Sequence, residues 1–561
     1  MTHELVIRGG TVVDGTGLAA YRADVGVDGG LITEIGRIHD SGERQIDAEG
    51  HVVTPGFIDV HTHMDAQVFW DPLGTPVCWH GVTTAVMGHC GFTLAPSAES
   101  DKAFVIRNLE RAEDISGEAM AAGIAWSWTT FAEYLDTVDR LPKGINYAAN
   151  IGHSPLRTYV MGERAFTEAA NDDDLAGMCA QLGDALRAGA IGFTTSRSKN
   201  HQTSDDRPVA SRLAEWSEVD ALIRHMGDSG GGIFQMVADW PPTAEARAAY
   251  EAGLVQLAAE SGVPFALPAV GGNNDSIMAL LDRMAAAGGR AFGITHCRGI
   301  GSMSSFAARL PFDELAEWQP IRALPREEQT RALRDPDVRA RLIHAAHHGP
   351  YKDAVGAEAR RPEFELMRVM DRPVPPNPTV AEVAAAHGVD PVEAMIDLAL
   401  ENFETFFLQR FGRWDVENIL KTMRHPRTVL GFSDAGAHVS QMCDASLPSH
   451  LLAHWVRDRQ DFTLEEGIRM LTLDQARWWG FHDRGVVRVG AKADLNVLDP
   501  ATVTPDMPTV VNDLPANQRR IKQTATGYLA TIVNGRVTLE GGEPSGALPG
   551  QLLRGPLAVN R

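Results

Sequence analysis

From residue 57 to residue 434, short apolar β-branched runs alternate with stretches of helical periodicity, and this alternation limits the fold more than any other feature. Eight runs read as strands: 57–63, 83–90, 145–152, 190–196, 231–237, 263–269, 290–296 and 428–434. Between them Phe131, Tyr134, Leu135 and Val138 fall at i, i+3, i+4 and i+7, and Trp216, Val219, Leu222, Ile223 and Met226 repeat the spacing of an amphipathic helix. Thr463 and Glu466 have the spacing of a capping box that opens a helix expected to run to Trp479. Eight strand–helix units predict an α/β chain with a (β/α)8 TIM-like barrel, whose chemistry sits at the carboxyl ends of the strands. A doubly wound open sheet is the alternative.

Both ends of the chain have a different grammar. Residues 4–53 and the stretches after Arg484 are short alternating runs separated by glycine turns, the pattern of β-hairpins. Neither end holds enough strands for its own core, so a small β-sandwich built from 1–54 plus 484–561 is expected around a barrel of 55–483. About 130 residues separate the seventh and eighth strands. This insert, about 300–426, reads as helical, carries the proline-rich run that starts at Arg372, and suits a lid or an oligomer interface.

A net charge of −22 argues against nucleic acid or an anionic membrane as partner. No apolar run approaches the ~20 residues of a bilayer span. The five cysteines (78, 90, 179, 297, 443) are odd in number and scattered, which suits a reducing cytoplasm without disulfides.

The strand ends carry the chemistry. His61 and His63 end the first strand and, two apart, share a face. Strand two ends in His89 and Cys90, strand three in His153, and strand four in Thr194, Thr195 and Arg197. Strand five gives Gln235, strand seven His296, Cys297 and Arg298, and strand eight Asp434. Ligand-type residues delivered from separate elements to one surface point to a divalent metal. Several residues also have plainer readings: Cys90 as a small packed hydrophobe, His153 or His296 as satisfied core histidines, and Arg157, Arg197 and Arg298 as salt-bridge partners. An arginine at the site would bind a substrate carboxylate through two parallel hydrogen bonds. Asp434 is the natural acid–base group.

Six motifs then match a known family. Pro55-Gly-Phe-Ile-Asp-Val-His-Thr-His, Gly81-Val-Thr-Thr, Gly88-His-Cys-Gly, Gly189-Ala-Ile-Gly-Phe, Ser433-Asp-Ala-Gly and Gly490-Ala-Lys-Ala-Asp-Leu resemble the amidohydrolase superfamily, in its D-aminoacylase (N-acyl-D-amino-acid deacylase) branch. The resemblance spans nearly the whole chain. It implies a barrel with a β-sandwich, an insert before the eighth strand, zinc, and hydrolysis of the amide of an N-acyl amino acid. It also implies that His61, His63, Cys90 and Asp434 hold metal, and that Asp434 is the general base. The family's histidines at the ends of strands five and six are missing here, where Gln235 and Pro264-Phe-Ala-Leu-Pro-Ala-Val stand, and the family's strand-four lysine is absent too. One zinc ion therefore fits better than two, with His296 as a substitute ligand and His153, Gln235, Arg197 and Arg298 as substrate or additional ligands. The expected partner is a small carboxylate-bearing substrate, and a homo-oligomer is left open. The alternatives are an amidohydrolase of another C–N bond, such as a cyclic amide, and a non-catalytic relative that has lost metal ligands.

Overall fold

The computed structural model describes residues 2–271, 274–355, 358–411, 415–441 and 444–558, arranged as a mixed α/β architecture. All eight expected strands form and pair in parallel. Strand one (Phe57–Asp59), strand two (Val82–Met87) and the first half of strand three (Asn146–Ala149) make one sheet. A second sheet runs from the other half of strand three (Ile151–Gly152) through strand four (Gly192–Ser196), strand five (Ile233–Val237), strand six (Phe265–Pro268) and strand seven (Ala291–Thr295) to strand eight (Thr428–Leu430). Parallel strands are covered on both faces, which is why they read as unbroken apolar runs.

The break in strand three lies at Asn150 and has a visible cause. Tyr147 and Ala148 pair with Leu552 and Leu553 from the tail, whereas Ile151 and Gly152 pair with Phe193 and Thr194. The tail strand thus lies along the lower half of strand three, and residues 549–558 do not join the terminal sheet. At the opposite edge the segment after strand eight meets the end of strand one. The Asp434 amide donates to the His61 carbonyl (3.2 Å) and the His63 amide to the Ala435 carbonyl (2.8 Å).

Helices Phe131–Arg140 and Trp216–Ser229 bury the residues that their periodicity selects. The Thr463–Glu466 capping box forms, but its helix stops at Leu471, and Leu473–Trp479 is a second helix. This corrects the single helix expected to Trp479. Thr472 leaves helical geometry (φ −133°, ψ −88°), and its hydroxyl donates to the Ile468 carbonyl at 2.7 Å, a local bond that competes with the helix ladder.

Strands from both ends of the chain share one nine-stranded sheet, joined where Val52–Pro55 pairs antiparallel with Leu495–Leu498. Leu5, Ile7, Val25, Val497 and Ile532 fill its core. Asp494, from the Ala-Asp-Leu motif, rivets this sheet to the strands beside it. Its carboxylate takes Arg484, the Asn146 side chain (3.1 Å) and the Asn534 amide (2.7 Å).

The insert has its own core around Phe312, Trp318, Met395 and Phe407. It is not purely helical as expected. Gly301–Ser305, Arg368–Val369 and Phe406–Arg410 form an antiparallel three-stranded sheet under its helices. Among the described residues no helix is long and apolar enough to cross a membrane. Cys78, Cys90, Cys179 and Cys297 are free, and Cys443 lies outside the described residues.

Candidate active site

The segment that follows strand one brings His61 and His63 to one point, and both are buried. The turn after strand two brings Cys90 there with a left-handed φ of 56°, and the turn after strand eight brings Asp434 with φ 51°. Such φ values in residues other than glycine are sparsely populated and cluster at functional sites. The Cys90 sulfur lies 3.5 Å from His61 Nε2. Asp434 Oδ1 lies 3.2 Å from His61 Nε2 and 3.6 Å from His63 Nε2. Gly436 (φ 92°) closes the turn so tightly that a Cβ there would sit 2.5 Å from the His63 carbonyl oxygen. Phe432 stacks on the His61 ring at 4.0 Å.

Three residues that sequence reasoning missed extend the cluster. Glu113, 1% exposed, places Oε2 3.4 Å from His63 Nε2 and 3.6 Å from His438 Nε2. His201 joins Cys90 and Glu113 in a group whose donor atoms lie within 4.8 Å of one another, as those of His61, His63 and Cys90 do. The Ser196 hydroxyl, 2.6 Å from His201 Nδ1, orients that ring. His438 follows Asp434 closely enough for the strand-eight loop to have flagged it. Glu113 sits in an ordinary polar stretch after the helix Lys102–Glu110, with no sequence signal of its own.

The charge balance is tight. Burial alone would raise the Asp434 carboxyl, but the neighbouring His61 and His63 rings hold it well below the usual range. Burial also opposes a charge on His63, yet Glu113 and Asp434 push it up to about 9. Burial lowers His61 and, with neighbouring carboxylates, raises the Cys90 thiol. Buried polar atoms remain without a hydrogen bond: His61 Nδ1, His63 Nδ1, Glu113 Oε1 and Asp434 Oδ1. Such atoms are costly unless something else satisfies them. Two imidazoles, a thiol and a carboxylate make a donor set that suits a zinc-like ion.

A cavity of about 260 Å3 reaches this cluster at His438 and Gln441. Arg111, Arg309, Glu358 and Gln441 also line an adjoining cavity of about 510 Å3 against the insert.

Residues 44–539 match the Amidohydrolase family, described in those words. The chain belongs to that family. This amidohydrolase falls in the D-aminoacylase branch and is a hydrolase of carbon–nitrogen bonds other than peptide bonds. It is 28% identical over 601 residues to an uncharacterized protein of Mycobacterium tuberculosis, covering 97% of this chain and 93% of that one. It is 26% identical over 561 residues to N-acyl-D-aspartate deacylase of Alcaligenes xylosoxydans xylosoxydans, covering 98% and 95%. The solved N-acyl-D-glutamate deacylase of Bordetella bronchiseptica shares the fold, with TM-score 0.64, 24% identity, and 99% and 100% of the two chains covered.

Other strand-end residues of the amidohydrolase do not join the cluster. His153 is fully buried, with Nδ1 2.8 Å from the Thr195 hydroxyl and Nε2 2.7 Å from Glu218 Oε1, so neither nitrogen is left for a ligand. Glu218 also takes Arg157. Gln235 holds the Cys90 loop: its Oε1 accepts from the Cys90 amide at 3.0 Å. The Thr194 hydroxyl accepts from the Gly91 amide (3.0 Å) and donates to the Gly88 carbonyl (2.7 Å). Asn150 contacts His89, which stacks on His61 at 4.2 Å and is held neutral by burial. Arg197 donates to the Ala214 carbonyl at 2.6 Å. His296 accepts the Arg298 amide on Nδ1 (2.9 Å), and burial lowers its pKa to about 4. Arg298 pairs with Asp444. His296 Nε2 is buried without a hydrogen bond and lies 3.8 Å from Asp444 Oδ1, on the side of Arg298.

Proposed function

We propose that this chain hydrolyses the amide bond of N-acyl amino acids, N-acyl-D-amino acids first among them, at a metal centre held by His61, His63, Cys90 and Asp434. The reading takes the two parallel sheets as one (β/α)8 barrel, opened beside strand three by the tail, with the terminal sheet as the sandwich of a second domain. One zinc ion fits these four residues, and Glu113 and His201 offer donors for a second across Cys90. The observation that carries the proposal is the buried convergence of His61 Nε2, His63 Nε2 and Cys90 Sγ beside an Asp434 oxygen that lacks a hydrogen bond.

An ion bound there would act as a Lewis acid, acidifying water and polarising the amide carbonyl. Asp434, ionised at neutral pH, takes the proton from the attacking water and returns it to the leaving nitrogen. Gln235 and Thr194 fix the loop so that Cys90 keeps its place. The insert shields the site from bulk water. Arg111 and Arg309 line the cavity that reaches His438 and are the cations it offers a substrate carboxylate. The acidic N-acyl-D-amino acids named for the deacylase relatives support this substrate class. The four free cysteines among the described residues suit a cytoplasmic enzyme.

The test is metal content by plasma mass spectrometry for wild type, His61→Ala and Cys90→Ala. Hydrolysis of N-acetyl-D-amino acids, their L-isomers and cyclic amides is measured alongside. The expected result is about one zinc per chain, lost in His61→Ala together with D-selective turnover. A protein that holds no metal and turns nothing over after zinc is supplied would sink the proposal.

A further inference from the structure

On a chain of net charge −22, one cavity has the opposite character. It encloses about 460 Å3 between the insert and the strand-seven end, and Arg298, Arg368, Arg410 and Arg459 line it against a single acid, Asp458. Three of these cations have answers elsewhere. Arg298 pairs with Asp444, Arg459 lies 2.6 Å from Asp461, and Arg368 stands 3.9 Å from Glu382. Asp458 is itself paired with Arg457 at 2.9 Å. Arg410 has no carboxylate within 4.0 Å among the described residues, and its Nε is buried without a hydrogen bond.

Two histidines complete the wall. His450, 2% exposed, and His454 lie with ring centroids 5.3 Å apart, and the Nδ1 of each is buried without a partner. Burial, together with the neighbouring cations, holds both rings neutral, so the positive charge of the cavity rests on its arginines. Desolvated cations beside unsatisfied donors are costly in an empty cavity and favourable around an anion. Pro375, Pro376 and Asn377 of the insert's proline-rich run form one side. Arg410 ends the strand by which the insert returns to the barrel, with its backbone in register with Gly301.

We propose that this cavity is an anion-binding site that takes a small molecule bearing a carboxylate or phosphate, with Arg410 as its principal charge partner and the insert and barrel as its two jaws. The chemistry is shared by two sources: a second acidic group of the substrate, or a free anion that acts apart from it. Binding itself does not rest on the hydrolase reading, because it is measured without turnover.

The experiment is isothermal titration calorimetry of the purified protein with inorganic phosphate and with glutarate at low ionic strength. It compares wild type, Arg410→Ala, Arg410→Lys and the exposed control Arg372→Ala. Saturable binding in wild type and Arg372→Ala, weakened at least about tenfold in Arg410→Ala and largely restored in Arg410→Lys, is expected for loss of one charge-assisted contact. Phosphate-dependent rises in melting temperature for the folded variants give a second reading. Absence of saturable binding of both anions to wild type, or equal affinity in Arg410→Ala, overturns the proposal. With N-acetyl-D-glutamate and N-acetyl-D-leucine as substrates, a rise in KM confined to the diacid in Arg410→Ala assigns the site to the substrate's second carboxylate. Unchanged KM for both, with phosphate affinity lost, assigns it to a free anion.

Discussion

Two buried clusters of histidine and carboxylate lie at the strand ends, and they differ in what they leave unsatisfied. Around strand three, His153 spends both nitrogens on Thr195 and Glu218, and Glu218 also takes Arg157. Around strands one, two and eight, His61, His63, Glu113 and Asp434 meet at comparable distances but keep buried polar atoms without hydrogen bonds. In the first network both histidine nitrogens and both Glu218 oxygens are engaged, so its energy supports the fold. The second is complete only with something added, and its turns carry left-handed Cys90, Asp434 and His438. A histidine at a strand end is therefore informative through its unsatisfied nitrogen more than through its position.

Substitutions can break that contrast. His61→Asn or Asp434→Asn should lower kcat/KM by about a thousandfold or more while leaving the melting temperature within a few degrees, because the cluster serves chemistry. Steady-state kinetics beside calorimetry checks both halves. Glu218→Ala should do the reverse, destabilising by about 3–5 kcal/mol through an uncompensated buried Arg157 and leaving turnover per folded molecule within a few-fold. Denaturant unfolding followed by tryptophan fluorescence measures it. If Glu218→Ala stays stable but loses activity, the two clusters have the same role and the contrast fails.

Gln235→Ala sharpens the boundary between the two. It frees the Cys90 amide without touching a ligand atom, so metal retention should weaken about ten- to hundredfold, read by competition with a chelator of known affinity. The smallest effect is pH dependence. Burial holds folded His153 below its ordinary 6.5, so as pH falls through 6.5 the unfolded chain takes a proton that the folded chain refuses. Stability should fall from pH 6.5 downward. The lowered Glu218 carboxyl adds a further loss as pH drops below the ordinary 4.5 toward its folded value. Melting curves from pH 7 to pH 4 check this, and His153→Gln should flatten the upper part.

The elements that a repeating pattern specifies were legible in the sequence. Each parallel strand has a buried apolar run, and each appears within a few residues of its expected place. His61, His63, Cys90 and Asp434 end such runs, which made them visible. Glu113 comes from a short turn between two helices and His201 from a loop, where no periodicity reports which side chain turns inward. Gln235, which stands where a histidine is expected, also serves the neighbouring loop by accepting the Cys90 amide hydrogen bond, a role that no pattern announces. The second break, at Thr472, depends on one hydroxyl bond that competes with a helix, and no pattern of apolar residues encodes that.

The tail strand has a consequence for how the protein is made. Gln551 donates its amide to the Asn146 side chain, a bond between positions 405 residues apart, and Leu552 then settles beside Tyr147. On a ribosome that adds residues one at a time, strand three waits for this neighbour while 405 more residues are made, with one edge of its lower half bare. Unpaired strand edges invite the wrong partner. The Leu552–Leu553 strand thus acts as a latch on nascent-chain assembly, and a chain cut before Gln551 should show its effect first in the yield of soluble protein and only afterwards in the behaviour of the molecules that fold.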